Sequence, residues 1–340
     1  MTTVDAGARS VTDVLAWSKS IFDPAMREAV DRLPESMRRI AGYHLGWWDA
    51  HGEAVRGGGG KALRPALVLL CAEAVGGDPA GAVPAAVAVE LVHNFSLLHD
   101  DVMDGDITRR HRPTAWTVFG TGPAILAGDA LLTLAFEVLA PDGPAAARLL
   151  SAGVLNLLDG QAADVEFEQR DDVTPAECVR MAEGKTGALL GAACALGAFA
   201  GAARAEAAER LGEFGRALGL AFQHIDDLLG IWGDPAVTGK PVYSDLQNRK
   251  KSLPVVSALN SGTAAGRELA ALYAQPDPLT TAELARAADL VDEAGGRAWS
   301  QSQADALLTQ ALQELTATAP AARPGAELTT LARLITHRTH

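Results

Sequence analysis

Three carboxylates crowd one stretch of this chain, Leu97-Leu98-His99-Asp100-Asp101-Val102-Met103-Asp104. On a helix, Asp100 and Asp104 stack one turn apart on one face, with Asp101 beside them. Like charges at that spacing repel and contribute nothing to packing. Hard cations such as Mg²⁺ take carboxylate oxygens and readily share phosphate oxygens, which gives such a trio a use. Alone, the pattern is as often an exposed acidic helix end. A second acidic pair stands in Phe222-Gln223-His224-Ile225-Asp226-Asp227-Leu228-Leu229-Gly230, again after apolar residues, with Gly230 where a third acid would fall.

Cations accompany both clusters. Arg109 and Arg110 follow the first, and Lys61 and Arg64 sit in Gly59-Gly60-Lys61-Ala62-Leu63-Arg64-Pro65. Lys185-Thr186, Lys240 and Arg249-Lys250-Lys251 complete the set. Arginine forks match phosphate geometry and lysine adds a mobile point charge. Each cation alone reads as a solvated surface residue. Their arrangement around two acid clusters points instead to metal-assisted binding of a phosphorylated small molecule.

The elements that position these residues read as helices. Residues 11–54 suggest one or two helices carrying Trp47 and Trp48, and further helices are expected at 62–75 and 84–105, with Pro84 suited to a helix start. Thr174-Pro175-Ala176-Glu177 and Thr280-Thr281-Ala282-Glu283 have the capping-box form, and Gly295-Gly296 ends the second of these helices. The uncharged run from Thr186 to Ala203 reads as a buried helix, being mostly Gly and Ala. Sustained β-type alternation is absent. Breaks at 76–83, 141–145, 233–245 and 275–280 are short, and motifs lie on both sides of each, so one all-α domain spanning 1–340 is expected.

Composition limits the function further. Of 340 residues, 48% are hydrophobic and 21% charged, which excludes a disordered chain. Aromatics are only 5% while Gly reaches 34 residues, which favours closely packed helices. A net charge of −13 argues against nucleic acid as a partner. Three cysteines without zinc-like spacing read as reduced buried thiols of a cytoplasmic protein, and neither a signal peptide nor a membrane span is expected.

With these residues in view, the chain resembles the trans-isoprenyl diphosphate synthases, or polyprenyl synthetases, over about residues 35–305. The resemblance rests on Gly59-Gly60-Lys61…Arg64-Pro65, His93…His99-Asp100-Asp101…Asp104, Arg109-Arg110…Pro113-Thr114, Gly160-Gln161…Asp164, Gly184-Lys185-Thr186-Gly187 and Phe222-Gln223…Asp226-Asp227…Gly233-Asp234…Gly239-Lys240. It implies the all-α isoprenoid synthase fold, a helical bundle around a central apolar cavity with N- and C-terminal helices packed on it, usually as a homodimer. It implies condensation of isopentenyl diphosphate with an allylic diphosphate, with three Mg²⁺ ions in each active site. By this resemblance Asp100, Asp104 and Asp226 are metal ligands, supported by Asp101. Arg109, Lys185 and Lys240 hold the allylic diphosphate, and Lys61, Arg64, His93 and Arg110 hold isopentenyl diphosphate. Gln223 and the Lys185–Thr186 segment present polar oxygens to the allylic cation, and His99 has a structural role.

The chain departs from the family pattern at Ala62, where an Arg is usual, at Gly230, and at His111, which replaces a Gly and reads as tolerated loop variation. Phe95 lies about 7.5 Å deeper than Asp100 along a helix. With Ser96 beside it, Phe95 is the expected floor for a growing product, which favours C20 geranylgeranyl or C15 farnesyl diphosphate. A class I terpene cyclase would not need Lys61, Arg64, His93 and Arg110. A non-catalytic partner subunit of another synthase is encouraged only by Gly230. A generic helical metal-binding protein leaves the cations unexplained.

Overall fold

The computed structural model describes residues 7–55, 60, 62–234 and 242–336. Among them, helices account for nearly all regular structure. Among the described residues the only strands are β1 (Thr108–Arg109) and β2 (Arg112–Pro113), an antiparallel pair. The described chain divides into two compact units. One comprises residues up to Val154 with Leu189–Gly215 and Glu314–Leu331; the other comprises Leu155–Ala188, Arg216–Gln313 and the residues from Ala332.

The first unit contains α1 (Val11–Asp31), α2 (Glu35–His44), α3 (Leu63–Ala74), α4 (Val83–Met103), α5 (Ala115–Phe119) and α6 (Thr121–Leu139). The chain continues through α7 (Gly143–Phe167), α8 (Pro175–Ala182), α9 (Ala188–Ala200) and α10 (Ala205–Trp232). Helix α4 packs chiefly on α6 and also on α3 and α1. Its first two turns and middle are almost wholly buried, and Pro84 stands in its first turn as expected. Small residues let helices approach closely. A Cβ at Gly197 would collide with the carbonyl of Val68 on α3, and one at Gly215 with the carbonyl of Leu190.

Helix α2 ends at His44, not beyond it. Gly46 adopts φ 76° and closes the helix by donating its N–H to the Tyr43 carbonyl. Trp47 and Trp48 therefore lie on a loop, which corrects the expectation that a helix carries them. The Trp48 ring folds back onto Gly42, and its Nε1 donates to the Arg39 carbonyl at 2.8 Å.

The second unit holds α8, α11 (Ser244–Gln247), α12 (Leu253–Leu259), α13 (Ala264–Tyr273) and α14 (Thr281–Glu293), followed along the chain by α15 (Gly296–Ala317) and α16 (Ala322–Thr336). Both expected capping boxes form, at Thr174–Glu177 and Thr280–Glu283. Phe167, Cys178, Met181, Leu220, Leu253 and Val256 share one buried cluster in this unit. The uncharged run after Thr186 is helical and largely buried, as read, except that residues Glu183–Gly187 form a π turn ahead of α9. All three cysteines are free and buried. Two stretches, Pro79–Met103 and Thr121–Phe167, are long and apolar enough to cross a membrane, although the first is mostly buried within the fold.

Replacing Gly197 with Val should cost about 3 kcal/mol, because the neighbour at the crossing is backbone and cannot yield. Urea denaturation measures this, and an unchanged midpoint would refute the close approach.

Candidate active site

In the first unit, α4 delivers the acid cluster. Its last turns are set against α6 by His99, whose ring lies over Gly128 where no side chain could fit. His99 Nε2 lies 3.0 Å from the Ile125 carbonyl, and Phe95 meets the ring edge-on with centroids 4.8 Å apart. His99 thus packs α4 against α6. Phe95 is buried, and Ser96 donates its hydroxyl to the His93 carbonyl at 2.9 Å.

Asp104 caps α4 through its N–H to the Asp100 carbonyl, which stacks the two acids one turn apart. Asp101 points inward at 1% exposure, and its Oδ1 accepts from Arg109 Nε at 2.6 Å. Its Oδ2 is buried without a hydrogen-bond partner among the described residues. Burial pushes the Asp101 carboxyl up to about 6, against the pull of Arg109.

Arg110 and His111 form the two-residue turn of the β1–β2 hairpin, with φ of 52° and 61°. Such a turn favours Gly or Asn, so His111 occupies a strained position that its expected reading as free loop variation does not capture. The hairpin is fastened to α2. Tyr43 Oη donates to the Pro113 carbonyl at 2.8 Å, and Arg112 donates to the carbonyls of Tyr43 and Trp48.

Behind the hairpin lies a basic cluster. Burial lowers the His93 pKa well below the usual range, and Arg64 and Arg110 lower it further. Glu90 is a buried counter-charge to it: burial raises the Glu90 carboxyl against the pull of Arg64 and Arg110, and Asn94 Nδ2 donates to its backbone carbonyl at 2.8 Å. His44 belongs to the same cluster and was not apparent from sequence, where it reads only as a helix end. Burial, then Arg110 and Arg109, lower its pKa to about 3. Three buried atoms here lack partners among the described residues: His44 Nε2, Arg64 Nε and Asn94 Oδ1. Ala62, in place of the usual Arg, takes a left-handed conformation ahead of α3. Lys61 lies outside the described residues.

The second unit builds its polar site where helices touch through glycine. A Cβ at Gly184 would lie 3.0 Å from the Gly160 Cα, so the π turn rests directly on α7. Lys185 then reaches Asp164, one turn further along α7, with Nζ 2.6 Å from Oδ2. A Cβ at Gly219 would lie 2.7 Å from the Gly187 Cα, which seats α10 against the same turn. One helical turn later Gln223 meets Thr186, whose hydroxyl donates to Oε1 at 2.7 Å. Gln223 Nε2 donates in turn to Asp227 Oδ1 at 2.7 Å, and Asp227 Oδ2 accepts the Leu253 N–H at 2.8 Å. The Gln223 oxygen, expected to face the substrate, is thus engaged by Thr186.

Asp226 is exposed while Asp227 is 3% exposed. Burial pushes the Asp227 carboxyl up to about 7, with Lys250 opposing and Asp245 reinforcing the rise. Lys250 is half-buried, and Asp227, Asp245, Asp164 and Asp226 hold its pKa above the ordinary lysine value against the desolvation. Lys250 and Asp245 are the site residues that motif reading missed. Gln161 is also buried, and neither polar atom of its amide has a partner among the described residues. Lys240 lies outside the described residues.

Among the described residues no three His, Cys, Asp or Glu side chains gather to hold a metal by themselves. Mg²⁺ is commonly bound through one or two carboxylates together with substrate phosphates. The all-oxygen donor set and the unpartnered Asp101 Oδ2 beside Asp100 and Asp104 fit that mode.

An all-α chain that sets acidic helix turns beside buried cations is equipped to hold a polyanion through divalent metal. The family model described as polyprenyl synthetase matches residues 47–291. The chain is 48% identical over 341 residues to a (2E,6E)-farnesyl diphosphate synthase of Mycobacterium tuberculosis, covering 98% of this chain and 95% of that one. It is 48% identical to a geranylgeranyl diphosphate synthase of the same organism, covering 93% and 90% of the two chains. A polyprenyl synthetase structure from Streptomyces coelicolor superposes with a TM-score of 0.92 at 48% identity, covering 96% and 99%. The chain belongs to the polyprenyl synthetase family.

The buried histidines give a pH dependence. His44 titrates near 3 and His224 near 4, against about 6.5 in an unfolded chain. Between those values the unfolded chain binds protons that the folded histidines refuse, so their contribution to stability falls as pH drops below 6.5, while the raised carboxyls of Asp101 and Asp227 act in the opposite direction over the same range. Urea denaturation of wild type and His44→Gln from pH 7 to 4.5 should show a pH slope altered by up to ~1.4 kcal/mol per pH unit, in the direction that favours the variant in acid. An unaltered slope would place His44 in water.

Proposed function

We propose that this chain is a Mg²⁺-dependent short-chain prenyltransferase. It joins isopentenyl diphosphate to an allylic diphosphate and makes C15 farnesyl or C20 geranylgeranyl diphosphate. The observation that carries the reading is the first unit's pairing of a metal-type acid turn with a separate basic cluster of Arg64, His93 and Arg110. A terpene cyclase needs only the former, and a partner subunit needs neither. The similarity to farnesyl and geranylgeranyl synthases over nearly the whole chain supports the same reading.

The reaction breaks the C–O bond of the allylic diphosphate, giving an allylic cation and free diphosphate. The cation adds to the double bond of isopentenyl diphosphate, and the departed diphosphate takes up the proton that is lost. Asp100, Asp104 and Asp226 would hold Mg²⁺, which would supply positive charge to the leaving diphosphate. Arg109, Lys185 and Lys240 hold that diphosphate. Arg109 and Lys185 are already oriented by Asp101 and Asp164, so little ordering remains to be done on binding. Lys61, Arg64, His93 and Arg110 hold isopentenyl diphosphate, for which a neutral His93 among arginines is a donor without charge repulsion. Thr186 and Gln223 place fixed dipoles beside the cation, where they need not reorganise as charge develops. Phe95 and Ser96 set the product length.

The whole chain acts as one synthetase domain, since the divisions between its compact units fall inside α7, α9, α10, α15 and α16 and not in linkers. It works in the cytoplasm as a homodimer without a membrane span. Exposed Ile125 and Leu126 on α6, and exposed Leu155 and Leu158 on α7, are surfaces that a second copy would cover.

Purified protein, Mg²⁺, isopentenyl diphosphate and each of dimethylallyl, geranyl and farnesyl diphosphate should yield a C15 or C20 alcohol, seen by mass spectrometry only after phosphatase. A hydrocarbon without phosphatase would indicate a cyclase, and no product a partner subunit. Asp100→Ala should reduce turnover at least ~10³-fold, and near-normal turnover would remove Asp100 from the metal site. Phe95→Ala should lengthen the product; an unchanged profile would put the floor elsewhere.

A further inference from the structure

The hydrogen bonds that join Thr186, Gln223 and Asp227 run in one direction, and that direction is set at the Asp227 end. Asp227 is buried on α10, and as a carboxylate it has acceptors but no proton to give. Its Oδ2 accepts the Leu253 N–H at 2.8 Å, and a backbone N–H can only donate. Its Oδ1 lies 2.7 Å from the Gln223 amide, so Gln223 must turn Nε2 towards it. That leaves Gln223 Oε1 facing Thr186 Oγ1 at 2.7 Å, and an amide oxygen can only accept. The Thr186 hydroxyl must therefore donate. A hydroxyl has one proton and two lone pairs. With its proton committed to Gln223, Thr186 Oγ1 is an acceptor towards everything else it meets.

We propose that Asp227 is a positioning residue which, through Gln223, keeps the Thr186 proton turned away and so gives the allylic cation a proton-free oxygen at Thr186 Oγ1. The inference rests on the proposed reaction, in which Thr186 lies beside that cation. A hydroxyl left to itself presents either a proton or a lone pair, and only the lone pair stabilises a forming cation. The two neighbouring aspartates thus have separate tasks: Asp226 is exposed, while the buried Asp227 sets the polarity of the chain. The exchange Asp227→Asn shows what depends on it. The Leu253 N–H still needs an oxygen opposite, so the new amide nitrogen falls to Gln223. Gln223 must then turn over, offering Oε1 to that nitrogen and Nε2 to Thr186. Thr186 Oγ1 becomes an acceptor to Gln223, and its proton is released. A nearly isosteric change at one end inverts both hydrogen bonds beyond it.

The test compares the full-length chain with Asp227→Asn, Thr186→Val and the double variant. Three quantities are read: the single-turnover rate of carbon–carbon bond formation, KM for isopentenyl diphosphate, and the Mg²⁺ concentration for half-maximal rate. Asp227→Asn should slow bond formation at least ~10-fold and leave KM and the Mg²⁺ requirement near wild type. Thr186→Val should slow it by a similar factor. The double variant should be no slower than Thr186→Val, because the chain then has no hydroxyl to orient. Neutron diffraction from deuterated crystals reads the direction without turnover. Wild type should carry the Gln223 amide deuterons towards Asp227 and the Thr186 deuteron towards Gln223, and Asp227→Asn should reverse both. The proposal is overturned if wild type has the Gln223 oxygen against Asp227, if the two substitutions slow the reaction additively, or if Asp227→Asn raises the Mg²⁺ requirement in proportion to its loss of rate. Should Asp227→Asn fail to fold, the wild-type neutron map and the Thr186→Val rate decide. Failure of the proposed reaction is distinguishable: wild type would then make no prenyl product with any primer, while the neutron map still accepts or rejects the direction set by Asp227.

Discussion

Helix backbones in this chain approach until the residue at the crossing can carry no side chain, and the polar groups are positioned by those crossings. Gly128 admits the His99 ring and so sets the end of α4 against α6. Gly160 and Gly184 bring the π turn onto α7, and Gly187 and Gly219 bring it onto α10. From these contacts follow the Lys185–Asp164 pair and the run of hydrogen bonds from Thr186 through Gln223 to Asp227. A core packed through large side chains could reach the same density, but it would hold the backbones further apart, and short side chains such as Thr186 and Asp164 would not span the gap. The abundance of Gly is therefore part of how the site is made.

A chain of net charge −13 is an unpromising host for a diphosphate. The local arrangement answers this by pairing three of the cations with carboxylates. Arg109 is held by Asp101, Lys185 by Asp164, and Lys250 by Asp227 and Asp245. The pairs cost desolvation, visible in the raised carboxyl pKa values of Asp101 and Asp227. In return the cations stand in place before any ligand arrives.

Much of this was legible in the sequence because it follows from local rules. The acid spacing, the capping boxes at Thr174 and Thr280 and the helix start at Pro84 all depend on residues within one or two turns of each other. What escaped depends on partners distant along the chain or on backbone shape. Trp47 and Trp48 fit a helical pattern, but Gly46 at positive φ ends the helix before them. His111 looked like an ordinary substitution until its own positive φ was seen. Asp245 and Lys250 carry no motif, and only folding brings one against Gly230 and the other against Asp227. His44 reads as the end of an amphipathic helix, and nothing nearby in sequence signals the arginines that surround it.

The π turn at Glu183–Gly187 has a consequence of its own. It holds one residue more than the same length of α-helix would, so Lys185 and Thr186 owe their directions to a count as well as to their chemistry. Deleting one residue there would restore ordinary winding without turning the flanking helices, and only the side chains within the turn, Lys185 and Thr186 among them, would change direction.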